Sequence, residues 1–209
     1  MNRQELGQKL ARLTTNAVVR NARLWRLFRP LTRRQFQALA PRWDTILQEG
    51  HLAPYERALD ELPTPPRRAL DLGTGTGSGA FALARRFPEA DVTGADLAEG
   101  MIAEARRKLS PELAGRVHFE LADASALPFP DGAFDLVAHA NMIPFFDEVA
   151  RLLEPGGHAL FAFSGGAQTP IYVAPERLRA ELGRRGFTDF AEFESGRGTA
   201  CLARKAGRS

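Results

Sequence analysis

The stretch Arg68-Ala69-Leu70-Asp71-Leu72-Gly73-Thr74-Gly75-Thr76-Gly77-Ser78-Gly79 constrains this chain more than any other part of it. A short apolar run passes into a glycine-dense turn and then into helix-forming residues. Glycine tolerates backbone angles closed to other residues and lets a ligand approach the main chain, while the helix that follows aims unpaired N–H groups at the bound molecule. Such a turn belongs to an α/β sheet and reads as a nucleotide-type binding loop.

Glycine spacing alone does not choose the ligand. Gly75-Thr76-Gly77-Ser78-Gly79-Ala80 satisfies the loose dinucleotide pattern G-x-G-x-x-G/A, a pattern with many accidental matches. Asp71 discriminates better. At the end of a strand over 69–72 its carboxylate would repel a diphosphate and attract an ammonium group, which favours a cofactor with an amino-acid end, such as S-adenosylmethionine. A second acid, Asp96, closes the apparent strand 90–96 and falls 23 residues after Gly73, where a carboxylate meets ribose hydroxyls. A third, Asp123, ends an apparent strand in Val117-His118-Phe119-Glu120-Leu121-Ala122-Asp123-Ala124. Each alone is equally a turn or helix cap; three at three strand ends make one site.

These segments, followed in order by Phe134-Asp135-Leu136-Val137 and Arg151-Leu152-Leu153-Glu154-Pro155-Gly156-Gly157, resemble the class I S-adenosylmethionine-dependent methyltransferases over roughly residues 66–205. The resemblance is to the broad branch that includes quinone-biosynthesis C-methyltransferases. It implies that Gly73, Thr74, Gly75 and Gly77 pass under the methionine part, with Asp71 holding its amino group directly or through water. It also implies that Asp96 binds both ribose hydroxyls, that Leu97 lies against the adenine, that Asp123 accepts from the adenine amino group and that the Ala124 backbone N–H donates to the ring. Only 17 residues, 138–154, separate Val137 from Pro155, so the wall after the fourth strand is short for this branch.

The remaining sequence supports an α/β, doubly wound, mostly parallel seven-stranded sheet with an antiparallel last strand, a Rossmann-like methyltransferase fold with an N-terminal helical extension. Strands are expected at 136–140 and 158–163, with Pro155-Gly156-Gly157 as the turn before the second of these, and a helix at 176–185. The four residues Ser195-Gly196-Arg197-Gly198 between strands 189–194 and 199–204 are too few for a parallel crossover and require a hairpin. Two short helices read within 42–62, and Pro63-Thr64-Pro65-Pro66 is a stiff connector. The division is therefore 1–65, a helical cap or lid, and 66–209, the S-adenosylmethionine-binding methyltransferase domain.

Charge is unevenly placed. Residues 1–42 hold ten Arg or Lys and one acid, a net +9, which leaves −6 for the rest of a chain whose total is +3. In that arm Leu6, Leu10, Leu13, Ala17, Leu24, Phe28 and Leu31 recur at helical spacing, with Pro30 and Pro41 delimiting the helices. The plain expectation is a cap packed by that stripe on the acidic body. The other is peripheral contact of residues 1–42 with an anionic membrane. No nucleic-acid-reading motif accompanies the basic residues, and no nucleic acid partner is expected. A single cysteine, Cys201, and no signal-like or membrane-spanning run point to a cytoplasmic location. No spacing reads as a metal site.

For the acceptor, Met142, Ile143, Pro144, Phe145 and Phe146 offer an apolar wall, which argues for a small, apolar or aromatic molecule. His139 is the candidate general base if a proton must be removed; facing the other way along an alternating strand it is a buried ring only. Asn141 would orient an acceptor, and Trp43 and Tyr55 would line the lid. The leading function is methyl transfer from S-adenosylmethionine to such an acceptor. The alternatives are a non-catalytic S-adenosylmethionine-binding module whose basic arm meets a partner or membrane, and a nicotinamide-dependent oxidoreductase, which explains Asp71 and the hairpin poorly. Acceptor identity and oligomeric state are not legible.

Overall fold

A computed structural model describes residues 3–207; residues 1, 2, 208 and 209, the outermost ends of the two expected segments, lie outside it. Seven strands form one sheet: β1 (Arg68–Leu72), β2 (Asp91–Asp96), β3 (Val117–Leu121), β4 (Phe134–Ala140), β5 (Leu153–Phe163), β6 (Phe187–Ser195) and β7 (Gly198–Lys205). Their order is β3-β2-β1-β4-β5-β7-β6. β1 to β5 run parallel, and β7 runs antiparallel to both β5 and β6. The hairpin expected from the short 195–198 link is present, and with it the reversed last strand.

The central strands are apolar on both faces because helices cover both. Leu70, Leu72, Val137, Ala159 and Phe161 meet Phe146, Val149 and Leu152 of α7 (Phe146–Leu152) and Leu178 and Leu182 of α8 (Pro175–Gly183). On the other face Ala69, Leu136, Ala138, Leu160 and Ala162 meet α5 (Ser78–Arg86) and α6 (Glu99–Lys108). Tyr55, Ala58 and Leu59 of α4 (Ala53–Leu59) are buried in that same cluster, beside Ala200 and Leu202. A boundary at residue 65 therefore cuts behind a helix that is itself core, since the half-sheet of β5, β7 and β6 has no later helix for this face.

Two further readings are corrected. Pro155-Gly156-Gly157 does not stand ahead of β5 but within it, at an irregularity where pairing jumps from Phe134 with Leu153 to Leu136 with His158. Pro30 lies inside α2 (Trp25–Leu39) rather than at its end; Pro41 does sit in the turn between α2 and α3 (Trp43–Ile46).

The arm also shows a different face from the one its spacing suggested. In α1 (Arg3–Arg20) the buried residues are Thr14, Thr15 and Val18, whereas Leu6, Leu10 and Leu13 are exposed, as is Leu31 of α2. Thr15 satisfies its hydroxyl by donating to the Ala11 carbonyl at 2.9 Å. Arg12 fixes the orientation by donating to the Ala167 and Thr169 carbonyls in the connector after β5, at 2.8 and 3.1 Å. The strand order reverses between β1 and β4, and the crevice at their carboxyl ends is where open α/β sheets bind ligands. The arm lies across that crevice.

Candidate cofactor and active site

β1 delivers the chain into the glycine turn, where Gly73, Gly75 and Gly77 have φ of +65, +54 and +93°. Side chains rarely take such angles, so these positions keep the backbone bare. Thr74 N–H donates to the Ala95 carbonyl at 3.0 Å, tying the turn to the end of β2. Gly75 N–H donates to Asp96 Oδ2 at 3.0 Å, and Ala98 N–H to Asp96 Oδ1 at 2.9 Å. Burial pushes the Asp96 carboxyl up against the pull of these backbone donors. Asp96 thus stands at the tip of β2, each carboxylate oxygen accepting from a backbone N–H, one of the glycine turn and one ahead of α6.

Asp71 is placed otherwise. It is 2% exposed. Thr74 Oγ1 donates to its Oδ2 at 2.7 Å and Tyr55 Oη to its Oδ1 at 3.2 Å. A Cβ on Gly79 would come within 2.5 Å of both carboxylate oxygens, so α5 starts directly on top of this acid and only glycine allows that approach. Burial raises its carboxyl to about 6, against the opposing bonds from Thr74, Tyr55 and the Ala80 backbone. Asp71 acts on the turn and the helix start, with no free face for direct contact with a ligand. Tyr55 is corrected with it: fully buried, it supports Asp71 from below and does not line a lid.

Asp123, just beyond β3, accepts from Ser125 N–H at 2.9 Å and Ser125 Oγ at 2.8 Å. It also accepts from two arm residues that sequence reasoning missed: Trp25 Nε1 at 2.9 Å and Arg29 Nη1 at 3.1 Å. Burial alone would raise its carboxyl, but the bonds from Ser125, Trp25 and Arg29 hold it below the usual value. Trp25 is buried with Val18 and Phe145, and Leu97, Ala124, Met142 and Ile143 pack around them. The residues expected to meet an adenine therefore converge on one spot, and in this structure an indole N–H lies there.

Over the glycine turn the arm supplies Trp43, whose Nε1 is 3.2 Å from where a Gly75 Cβ would stand, and Met142 presses on Gly73 in the same way, its Sδ at 2.7 Å. Trp43 packs edge-on against Phe36 at 5.4 Å. Beside it, Asp44 accepts from Thr76 Oγ1 at 2.6 Å and pairs with Lys108 at 3.0 Å. Gln37 accepts from Gly100 N–H at 2.8 Å, at the start of α6. Trp43, expected in a lid, lies against the glycine turn.

His139 is corrected as a base. It is 1% exposed and neither ring nitrogen has a partner. The ring stands edge-on to Phe161 at 4.6 Å and to Phe163 at 6.3 Å, inside the sheet face covered by α7. Burial drives its pKa down to about 3, so the ring is neutral but has no route to a substrate proton. Asn141, at φ +54°, turns its Oδ1 to accept from Ser164 N–H and Oγ at 2.9 and 3.1 Å, joining the ends of β4 and β5 rather than facing the crevice. Among the described residues no group of three His, Cys, Asp or Glu could hold a metal.

Residues 69–157 match the family model described as a methyltransferase domain. A demethylmenaquinone methyltransferase of Thermus thermophilus is 47% identical over 135 residues, covering 58% of this chain and 60% of that protein. A malonyl-[acyl-carrier protein] O-methyltransferase of Halorhodospira halophila is 36% identical over 146 residues, covering 66% of this chain and 49% of that one. Among solved structures, the Haloferax volcanii complex with the Trm112 methyltransferase activator contains a chain of the same fold, with a TM-score of 0.70 at 20% identity, covering 85% of this chain and 98% of that one. The chain thus carries a stretch, 69–157, that is similar to methyltransferase domains, on the fold of a methyltransferase. It spans about half to three-fifths of the length of the curated relatives it matches.

Proposed function

We propose that this chain transfers a methyl group from S-adenosylmethionine to a small apolar or aromatic acceptor of the lipid-soluble quinone class. The cofactor reading is carried by one observation: a left-handed glycine turn whose Gly75 N–H is anchored on Asp96 at the tip of β2. The bare turn fits the methionine end, Asp96 the ribose hydroxyls and Asp123 the adenine amino group. Bound there, the sulfonium supplies an electrophilic methyl group. The protein's part is to hold the acceptor behind it and keep water out, which can account for much of the rate.

His139, the one base the sequence offered, is buried and uncharged. The acceptor must therefore bring its own nucleophile, as an electron-rich ring carbon or an ionised oxygen does. Met142, Ile143 and Phe145 give that side an apolar lining, and the Thermus relative is named for a quinone substrate. Peripheral membrane contact through residues 1–42 belongs to the same reading, because such an acceptor resides in lipid.

A second reading, a cofactor-binding module without transfer, is favoured by the hold of Trp25 and Arg29 on Asp123. The test is methyl-labelled S-adenosylmethionine with a demethylated naphthoquinol and, separately, a malonyl thioester. Label in the quinol product supports the proposal; label in the thioester alone replaces its acceptor; label in neither, with the cofactor bound, favours the module.

A further inference from the structure

The leucines of the N-terminal arm face away from the protein. Leu6, Leu10 and Leu13 of α1 are 54, 48 and 67% exposed, and Leu27 and Leu31 of α2 are 65 and 58% exposed. Among the described residues only seven large apolar side chains are exposed, and these are five of them. Spacings of three and four put the leucines of α1 on one face, and Leu27 and Leu31 are one turn apart. The buried residues described in α1 are Thr14, Thr15 and Val18. A helix that buries threonine and displays leucine has its apolar stripe turned towards something other than its own core.

The chemistry of that something is indicated by charge. Arg20, Arg23, Arg26, Arg33 and Arg34 are exposed in the same arm, and their side chains have no hydrogen bond or ion pair among the described residues. Glu5 is the one acid in residues 1–42. We infer that the outer face of α1 and α2 docks on an anionic lipid surface, with the leucines entering the acyl boundary and the arginines among the phosphates. Leucine interleaved with arginine on helices of 18 and 15 residues is the composition of an interfacial helix. Arm-to-arm association of two copies would bring two arginine-rich faces of like charge together, and nucleic acid would leave the leucines in water.

The inner face of the same helices closes over the crevice, through Arg12 on the β5 connector, Trp25 and Arg29 on Asp123, and Gln37 on Gly100. Docking thus places the arm between the crevice and the bilayer. This deepens the proposed function, resting on its lipid-soluble acceptor for purpose but not for evidence.

The full chain is sedimented with vesicles of phosphatidylcholine alone and of phosphatidylcholine with about one-third phosphatidylglycerol, without cofactor or acceptor. The expected result is binding to the anionic vesicles only, weakening as salt screens the arginines. A Leu10→Ser/Leu13→Ser/Leu27→Ser variant, unchanged in charge, should partition at least tenfold less while its melting temperature holds. Equal partitioning of variant and wild type, or no binding to anionic vesicles, overturns the inference. So does a dimer in light scattering that the leucine variant dissolves, if the vesicles are not bound. Vesicle binding without methyl transfer would remove the proposed function and leave docking in place; transfer without vesicle binding would do the reverse.

Discussion

Asp71 and His139 are buried within a few residues of the crevice, and acid acts on them in opposite senses. His139 titrates at about 3 in the fold against 6.5 for the free side chain, so between those values the unfolded chain takes a proton that the folded one refuses. Its contribution to stability is therefore lost as pH falls from about 6.5 towards 3. Asp71 titrates at about 6 against 3.8, so the folded chain takes the proton first and stability rises as pH falls from about 6 to 3.8. His139→Phe removes the first effect and two unpartnered ring nitrogens. Thermal melts should show a variant about 1 kcal/mol or more stable at pH 7, with its advantage growing at pH 5. A variant less stable at both values would show that His139 has a partner or a function this account does not give it. The three acids were legible because each falls at or just past the carboxyl end of a strand. Their partners were not. Whether Asp71 faces a ligand or Tyr55 depends on where α4 docks, and Trp25 arrives at Asp123 from a helix whose inward face spacing alone could not decide.

The elements after residue 66 were readable because parallel strands buried on both faces are continuous apolar runs separated by turn residues. The arm was not, because its apolar spacing defined a stripe without saying what covers it. Thr14, Thr15 and Val18 take the inner side because Arg12 binds the connector carbonyls beside them. Two substitutions separate the faces. Leu13→Ser on the outer side should change unfolding free energy by no more than about 0.5 kcal/mol. Val18→Ala, in the cluster with Trp25 and Phe145, should cost about 1–3 kcal/mol. Chemical denaturation measures both, and a larger loss for Leu13→Ser would return the stripe to the core.

At the scale of the molecule, an acidic body carries a sheet whose order reverses between β1 and β4, and a basic arm crosses the mouth that this reversal creates. The reversed β7 followed from a four-residue link; the order of the strands came with the structure. The hold of Trp25 and Arg29 on Asp123 also came only with the structure. The central claim is that this crevice takes S-adenosylmethionine through Asp96. Calorimetric titration of the wild type and of Asp96→Asn with S-adenosylmethionine, and of the wild type with NADH, tests it most directly. The account predicts saturable binding of the sulfonium cofactor, weakened at least tenfold by the substitution, and no NADH binding. Unchanged affinity in the variant, or NADH bound in place of S-adenosylmethionine, would contradict it.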